Sequence, residues 1–430
     1  MNILIVTLGS RGDVQPYVAL GKGLQAAGHT VTVCTSSSFE SFITGHGLNY
    51  GYMGNDLMDL MDSAEGRDAI ENTVGIWGSI RTTMKLIKQA NAINRRLMQD
   101  TWAAVQAAQP DLVIYHPKAL AGPHIAEKLG IPVILALPAP LIVPTGDFPA
   151  IGLPNLKLGA GYNRFSYGVI KQGYSTYGKL VNEFRQTVLQ LDPMKDAALP
   201  RAMGDGQPIP VLHAVSPHVV PRPADWPPHI HMSGYWFLDQ EAWQPSAELQ
   251  AFLDAGDAPV YVGFGSMAGK NPQKLARIVI DALQQANLRG VIATGWGGLD
   301  AGELPGSIFK IDHAPHDWLF PRMAAVVHHG GAGTTAAGLR AGCPTVICSF
   351  IADQPFWGQR VRALGAGSEP IPHKKLTADK LAAALREVTT DPAIRQQAAA
   401  LGEKLRQEDG IANAIAVIEA LPVKAKLPAH

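Results

Sequence analysis

The sequence is short of cysteine and of charge. Three cysteines occur in 430 residues, and charged side chains make up 17%. Because Cys34, Cys343 and Cys348 lie in or beside apolar runs, we expect buried thiols in a reducing compartment and no disulfide framework. Lys and Arg together number 36, as do Asp and Glu, so the charge balance gives no support to nucleic acid as a partner or to a polybasic membrane patch.

The sequence also lacks a long apolar run. The most apolar segment, Ile131–Val143, is interrupted by Pro132, Pro138 and Pro140 and is too short to span a bilayer. Met1 leads directly into a strand pattern without a charged leader segment, so we expect a cytoplasmic protein without a signal peptide. An apolar content of 47% over this length is enough for two domains with large cores.

The sequence also lacks metal-binding motifs and a convincing dinucleotide-binding motif. The sequence holds no D-x-D, H-E-x-x-H or paired C-x-x-C pattern, so we predict no metal site. Gly263–Ala268, GFGSMA, fits a loose G-x-G-x-x-G/A pattern. The acidic residue near the required distance, Asp281, falls inside a helical pattern instead of at the end of the next strand, and we therefore discount a nicotinamide enzyme.

The most informative stretch runs over residues 311–358. Within it, Ala324–His328 is an apolar run of strand length, followed by the glycine-rich turn His329–Gly333 and by Thr334, which opens an alanine-rich helix. Glycines let backbone N–H groups approach a ligand, and a helix N-terminus favours an anion. The side chains of His329 and Thr334 can donate to the same anion.

A carboxylate and an amide follow the next predicted strand. Asp353 and Gln354 come after Thr345–Cys348, at the sheet edge where ligands of open parallel sheets bind. A glycine-rich turn alone is typical of a plain tight connection. Beside a carboxylate and an amide, it indicates a phosphate attached to a hydroxyl-rich group, which describes a sugar nucleotide.

The N-terminus has the pattern of a βαβ unit. Strands are predicted at Asn2–Thr7 and Thr30–Cys34 with a helix at Val14–Ala27 between them, so the sheet should be parallel. Asp13 lies in the turn after the first strand. It can cap the helix, and it can also present a carboxylate at the carboxyl edge of the sheet, and the two interpretations are compatible.

These motifs resemble nucleotide-sugar glycosyltransferases of the two-domain GT-B fold. The segments APHDWL, HHGGAGTT and Asp353-Gln354 stand in that family's order, and GSRGDVQP at residues 9–16 is similar to its N-terminal motif. Within the family, the sequence is most similar to the sterol 3-β-glucosyltransferases and the vancomycin-type bacterial glycosyltransferases. The resemblance implies an α/β protein with two Rossmann-like domains facing each other across a cleft.

The resemblance also implies a domain organisation. We expect an N-terminal acceptor-binding domain at 1–215, a proline-rich linker at 216–240, a nucleotide-sugar donor-binding domain at 241–405, and a C-terminal helix at 406–430 that returns to the first domain and ends in a tail. Before a long helix predicted for Tyr162–Leu191, a proline-rich stretch without regular structure is expected to form an ordered lip on an apolar pocket.

By resemblance, the chain is an inverting, metal-independent hexosyltransferase without a cofactor. Its co-substrate would be a UDP-sugar, UDP-glucose above all, and its acceptor an apolar hydroxylated molecule such as a sterol, terpenoid or lipid. We expect a monomer, and contact with a membrane surface is compatible with such an acceptor.

The catalytic pair implied by the resemblance is Asp13 with His116. Plant relatives carry the catalytic histidine where Asp13 stands and its orienting aspartate about where His116 stands, so the pair would be reversed here. Ser10, Arg11 and Gly12 would form a diphosphate loop near the acceptor side.

Two larger sets of residues complete the expected site. Those expected to hold the donor are Ser266, His313, Ala314, His316, His329, Gly331, Ala332, Gly333, Thr334, Asp353 and Gln354. Those expected to line the acceptor pocket are Met53, Met58, Met61, Trp77, Pro138, Leu141 and Phe148.

Two departures from the plant pattern keep alternatives open. The tryptophan over the uracil is replaced near His313-Ala314, and the carboxylate on the ribose corresponds to Ala337. A thymidine-linked deoxysugar transferred to a natural product is therefore one alternative. A non-hydrolysing sugar-nucleotide epimerase, which needs no acceptor, is another. An inactive sugar-nucleotide or lipid sensor is a third, although Asp13 and Asp353-Gln354 argue against it.

Overall fold

The computed structural model describes residues 1–62, 80–240, 242–265, 272–294 and 304–422. These residues form two compact units. The first contains residues 1–217 and 222–238 and the chain from Asp409 onward, and the second contains residues 218–221 and 239–408. Each unit is built on one parallel sheet with helices, which confirms the predicted fold class of two parallel-sheet α/β domains.

The first domain has a seven-stranded sheet in the order β3-β2-β1-β4-β5-β6-β7, and every pairing is parallel. Its strands are β1 (Asn2–Val6), β2 (Thr30–Ser36), β3 (Asn49–Met53), β4 (Leu112–Tyr115), β5 (Val133–Leu137), β6 (Val211–His213) and β7 (Ile230–Met232). Val6, at the end of β1, pairs with Cys34 on one side and Tyr115 on the other. The chain segments that leave β1 and β4 therefore start side by side, at the point where the strand order reverses.

Helices cover both faces of this sheet because its interior strand β1 is apolar on both. Ile3 and Ile5 belong to one core, while Leu4 and Val6 belong to the other, as the alternation of strand side chains requires. The helices are α1 (Arg11–Ala26), α2 (Glu40–Gly45), α3 (Asp56–Asp62), α4 (Ile80–Ala108), α5 (Gly122–Leu129), α6 (Ala160–Ser175) and α7 (Gly178–Phe184).

The prediction of one long helix over Tyr162–Leu191 is wrong. The chain breaks between α6 and α7, where Ser175 Oγ and Thr176 Oγ1 each donate to a backbone carbonyl three residues earlier, both at 2.7 Å. Hydroxyl side chains that bond locally in this way compete with the continuing helix.

The predicted linker at 216–240 is largely part of the first domain. Residues 222–238 belong to the first unit, and β7 lies among them as an edge strand paired with β6. Trp226 and Trp236 are 4% and 5% exposed, so this segment contributes to a core. The prolines that suggested a linker all precede β7, so they remove none of its ladder hydrogen bonds.

The second domain has a five-stranded parallel sheet in the order β10-β9-β8-β11-β12. Its strands are β8 (Val260–Gly263), β9 (Gly290–Ala293), β10 (Ile308–Ile311), β11 (Ala325–His328) and β12 (Thr345–Ile347). Its helices are α8 (Ala247–Asp254), α9 (Pro272–Ala286), α10 (His316–Leu319), α11 (Ala332–Ala341), α12 (Gln354–Ala363), α13 (Ala378–Thr390) and α14 (Pro392–Gln407).

The last helix, α15 (Gly410–Glu419), belongs to the first domain and packs on α1. The approach is close at Gly23, where an added Cβ would lie 2.3 Å from Ile411 Cγ2. None of the helices in the described ranges combines the length and apolarity needed to cross a membrane.

Candidate active site

The turn after β1 is built to hold one carboxylate. Gly9 has φ +136°, and a Cβ there would lie 2.2 Å from Asp13 Oδ2, so this position excludes a side chain. Ser10 caps α1, and its backbone N–H and hydroxyl donate to Asp13 Oδ2 at 2.9 and 3.2 Å. Asp13 is therefore not the N-cap; it stands three residues into the motif and binds back to the cap.

The other oxygen of Asp13 meets two nitrogen atoms from the segment after β4. Lys118 Nζ lies 3.1 Å from Oδ1, and His116 Nε2 lies 3.4 Å from it. The two segments meet because β1 and β4 are neighbours, and the backbone N–H of His116 donates to the Val6 carbonyl. The structure thus brings together the predicted pair and adds Lys118, which the sequence reasoning missed.

The tautomer of His116 follows from its surroundings. Its Nδ1 accepts a hydrogen bond from the backbone N–H of Lys118 at 3.2 Å, so in the neutral ring the proton is on Nε2, which faces Asp13. Burial lowers the pKa of His116 to about 3, which opposes the effect of the Asp13 charge. His116 is therefore neutral near pH 7, with its Nε2–H group beside Asp13.

Asp13 is ionised at neutral pH. Burial opposes its ionisation, but Lys118 and His116, with hydrogen bonds from Lys118 and Ser10, lower its pKa overall. Its side chain keeps 20% exposure, so a hydroxyl group from a ligand can reach it. Ser10 donates twice to Oδ2 and Lys118 donates to Oδ1, so a ligand hydroxyl would meet Oδ1 beside Lys118 or displace it.

The Arg11 side chain is used locally. Its Nε donates to Gln15 at 3.0 Å, and its guanidinium lies 4.9 Å from the centroid of the Phe42 ring. Ser10 is committed to Asp13, and a Cβ at Gly12 would meet Ser10 Oγ at an ordinary 3.8 Å. These contacts describe a scaffold for Asp13, and the expected diphosphate role of Ser10, Arg11 and Gly12 stays a prediction.

In the second domain, β11 leads into α11 through the glycine-rich turn. Gly330 has φ +94°, and a Cβ there would lie 2.7 Å from Ile347 Cγ2. Gly331 is the N-cap of α11, and the first hydrogen bond within the helix runs from Thr335 N to the Gly331 carbonyl. The N–H groups of Ala332, Gly333 and Thr334 have no acceptor within the helix and are available to an anion.

The two histidines before this turn have different tasks. His328 is fully buried, and its Nδ1 accepts from the Gly330 backbone at 3.0 Å, which fixes the turn. His329 is partly exposed and lies beside the turn after β8, since a Cβ on Gly265 would be 3.7 Å from its ring. Its Nδ1 is buried without a hydrogen-bond partner among the described residues, and burial lowers its pKa to about 4. Ser266, one residue further along the β8 turn, lies outside the described residues.

Asp353 and Gln354 follow β12 as predicted, but their side chains differ in availability. Gln354 is 5% exposed, and its Oε1 accepts from the backbone N–H groups of Phe350 and Ile351 at 2.7 and 3.1 Å. These two hydrogen bonds shape the loop, and the amide nitrogen of Gln354 is the group that remains for a ligand. Asp353 is partly exposed, and Ala352 before it has φ +56°, a strained conformation typical of functional loops.

The remaining residues expected to hold the donor lie just before α10 and at its start. His313 is exposed. Ala314 is 5% exposed in an apolar cluster, so its backbone is the part that a ligand can meet. His316 stacks on Phe320 with ring centroids 4.3 Å apart.

The expected acceptor residues are spread over several environments. Met53 is 1% exposed and belongs to the core, so it acts through packing. Leu141 and Phe148 are partly buried against the same core, and Met58 and Pro138 are also partly buried. The side chain of Met61, and the whole of Trp77, lie outside the described residues.

One cavity of about 290 Å³ lies between α3 and α4 in the first domain. Leu60, Ala92 and Ile93 give it an apolar lining, and Asp56, which pairs with Arg96 at 3.2 Å, lies at its wall. In the described part of the chain, no group of three or more His, Cys, Asp or Glu side chains is placed to hold a metal ion.

Comparison with known proteins finds a matching protein family for each domain. The profile of the glycosyltransferase family 28 N-terminal domain matches residues 3–143, and that of the erythromycin biosynthesis protein CIII-like C-terminal domain matches residues 279–419. The glycotransferase of kitacinnamycin superimposes with a TM-score of 0.71 at 22% identity, covering 97% of this chain and 98% of that one. The glycosyltransferase VinC in complex with dTDP gives 0.68 at 19%, covering 97% and 99%. These similarities define a GT-B glycosyltransferase fold.

The sequence relatives are more specific. Sterol 3-beta-glucosyltransferase UGT80A2 of Arabidopsis thaliana is 39% identical over 96% of this chain, and UGT80B1 of the same plant is 36% identical over 100%. A Cryptococcus neoformans sterol 3-beta-glucosyltransferase is 36% identical over 97%. The chain belongs to the sterol 3-beta-glucosyltransferase family, which confirms the resemblance seen in the sequence. It spans 64% and 69% of the two plant proteins and 27% of the fungal one.

Proposed function

We propose that this chain transfers glucose from UDP-glucose to the hydroxyl group of a sterol or a similar apolar alcohol, with inversion at the anomeric carbon. The observation that carries the proposal is the carboxylate of Asp13, held ionised and partly exposed by Ser10, His116 and Lys118. The named activity of the relatives supports the choice of sugar and acceptor.

In the proposed reaction, the acceptor oxygen forms a bond to the anomeric carbon while the bond from that carbon to the β-phosphate oxygen breaks. The hydroxyl proton passes to Asp13, the general base. One displacement converts an α-linked donor to a β-glucoside. Lys118, whose side chain is 44% exposed, is the donor on Oδ1 that can move aside for the acceptor.

The second domain would supply the contacts to the leaving diphosphate. The first N–H groups of α11 and the ring of His329 act where charge develops, and this fixed set of donors replaces a metal ion in the proposal. Asp353 and the amide nitrogen of Gln354 would meet the sugar hydroxyls. His329 donates as a neutral ring, since burial lowers its pKa to about 4.

We further propose that the protein works in the cytoplasm as a monomer, without nucleic acid and without a resident cofactor. Three buried free thiols, Cys34, Cys343 and Cys348, support a reducing compartment. Access to a sterol would bring the protein to a membrane surface.

The test is product analysis with the purified protein. UDP-glucose, other UDP-sugars and dTDP-sugars are each supplied with and without a sterol, and products are identified by mass spectrometry and NMR. The proposal predicts a sterol β-glucoside and free UDP, unchanged by EDTA. A sugar-nucleotide isomer formed without acceptor would identify an epimerase, and intact donor under every condition would identify a sensor.

A further inference from the structure

An exposed apolar surface lies on α6 and the loop before it. In the described ranges, six positions expose a large hydrophobic side chain, and four of them fall within fourteen residues of sequence. They are Leu156, Leu158, Phe165 and Val169, and we call this set the α6 face. Phe165 is 78% exposed and Leu158 67%, which is far more than a residue that covers a core would be.

Local geometry places the α6 face on one side of the helix and on the loop that leads into it. Phe165 and Val169 are four residues apart on one helix, so they lie on the same side of it. Gly159, with φ +80°, forms the N-cap of α6, and Tyr162 donates its hydroxyl to the Pro154 carbonyl at 2.7 Å. The loop carrying Leu156 and Leu158 is therefore held against the first turn of the helix.

The side of α6 that faces the domain is partly polar. Ser166 and Asn163 are 2% and 8% exposed. Ser166 Oγ accepts from the Ala150 backbone, and Asn163 Nδ2 donates to the Gly146 carbonyl, both at 2.7 Å. A helix that serves a core alone carries its apolar stripe inward. Here buried polar groups anchor the helix to the proline-rich lip, and large apolar groups are outside, so folding does not account for the α6 face.

Basic residues outnumber acidic ones in the sequence around the α6 face. Residues 148–179 contain Lys157, Arg164, Lys171 and Lys179 and no acidic residue, although the whole chain is balanced. All four are exposed. Arg164 pairs with an aspartate at 2.8 Å and Lys171 with another at 3.2 Å. Lys157 and Lys179 outnumber the exposed Asp147, which precedes this stretch, and leave a net positive charge.

We propose that the α6 face docks on the surface of an anionic lipid bilayer. Exposed apolar side chains flanked by lysine and arginine suit the boundary between head groups and acyl chains, where the apolar groups insert about 5–10 Å and the basic groups meet negative lipids. Tyr167 of α6 also donates to the Phe148 carbonyl at 3.4 Å, so docking would bring the lip to the lipid. This role rests on the proposed function, since a sterol acceptor would be drawn from that bilayer.

The binding experiment uses the full chain and vesicles of phosphatidylcholine alone or mixed with phosphatidylglycerol. Wild type should sediment with the mixed vesicles and far less with the neutral ones, and added salt should weaken the binding. The double change Phe165→Ser and Val169→Ser should lower partitioning by at least about tenfold. Lys157→Gln and Lys179→Gln should each lower it about fivefold. Leu129→Ser, an exposed apolar residue at the end of α5, is the matched control and should bind as wild type.

Activity measurements separate this proposal from the proposed function. With sterol dissolved in cyclodextrin, the double variant should turn over like wild type, and with sterol in mixed vesicles it should be slower by the loss in binding. No glucosylation of dissolved sterol by wild type would contradict the proposed function without touching the binding result. Equal binding of wild type and the double variant would overturn the docking proposal. A wild-type dimer that the double variant dissociates, with no vesicle binding, would overturn it in favour of a contact between copies.

Discussion

His116 Nε2 lies 3.4 Å from Asp13 Oδ1, and the Lys118 backbone N–H donates to the other ring nitrogen, Nδ1. The histidine is 1% exposed, and burial lowers its pKa to about 3. A base has to offer a lone pair to the acceptor hydroxyl, and the lone pair of the neutral ring, on Nδ1, already accepts from the Lys118 backbone. The geometry supports Asp13 as the base in our proposal and His116 as the group that orients it.

Lys118 should control the pH range of activity. Its charge and hydrogen bond are among the causes that, against burial, lower the pKa of Asp13. Removing it in Lys118→Met should raise that pKa, and the acid limb of the kcat/KM profile should then move to higher pH. Lys128→Met, an exposed change on α5, is the control. An acid limb that stays in place in Lys118→Met would show that the lysine does not act on the base.

His329 should contribute to donor binding through one hydrogen bond. A bond to a charged group contributes about 1.5–3 kcal/mol, so His329→Ala should weaken UDP binding by roughly ten- to a hundredfold. His329→Gln keeps an N–H donor and should recover part of the loss. The measurement is calorimetry with UDP, and equal affinity of the wild type and the alanine variant would remove His329 from the donor site.

Asp353 should matter for the sugar and little for the nucleotide. Its Oδ2 accepts from Trp357 Nε1 at 2.8 Å, and Trp357 is fully buried, so Asp353→Ala also leaves a buried donor unpaired and should lower the melting temperature. Asp353→Asn can keep that bond while it removes the charge. We expect both variants to lose turnover with UDP-glucose and to keep UDP affinity. A parallel loss of UDP affinity in Asp353→Asn would show that our assignment of this residue to the sugar is wrong.

Buried neutral histidines should make the fold sensitive to acid. Burial lowers the pKa of His116 to about 3 and those of His124, His213 and His329 to about 4. The ordinary value is about 6.5, so the native state binds fewer protons than the unfolded chain below that pH. Stability should fall from about pH 6.5 towards pH 4, by up to about 1.4 kcal/mol per histidine for each pH unit.

Urea unfolding at several pH values measures this loss. His124 Nε2 meets the Ala197 carbonyl and Nδ1 meets Arg185, contacts that an amide can partly replace, so His124→Asn should give a shallower pH dependence. Stability that is constant over the range, or a steeper slope in the variant, would contradict the assignment of buried neutral rings.

The pairing of Asp13 with His116 could be predicted because it depends on strand ends. Neighbouring parallel strands deliver their following segments to the same sheet edge, and a strand pattern locates those ends well. Lys118 could not be found in this way, since a long side chain reaches Asp13 from a position that no periodicity marks. His328 was missed because it reads as the last residue of a strand, while its Nδ1 holds the turn.

The hydrogen bonds of the Gln354 carbonyl oxygen could not be predicted from the sequence. Its position after β12 predicts a side chain that contacts the sugar, but its Oε1 accepts hydrogen bonds from two backbone N–H groups of the loop. Ala352 in that loop has a left-handed backbone conformation, which the sequence does not predict because alanine rarely adopts it. The exposed α6 face could not be predicted either, because the balanced total charge gives no information about a local run of basic residues.

The most direct test of the account replaces Asp13 by Asn and measures turnover, donor binding and melting together, with His116→Ala beside it. Asn can still accept from the Ser10 backbone, so the turn should persist and the melting temperature should change little. We predict that Asp13→Asn lowers turnover by about 10²–10⁴-fold with UDP affinity intact, because the general base is lost, and that His116→Ala has the smaller effect. Near-normal turnover in Asp13→Asn, with activity abolished in His116→Ala, would contradict the account and make His116 the base.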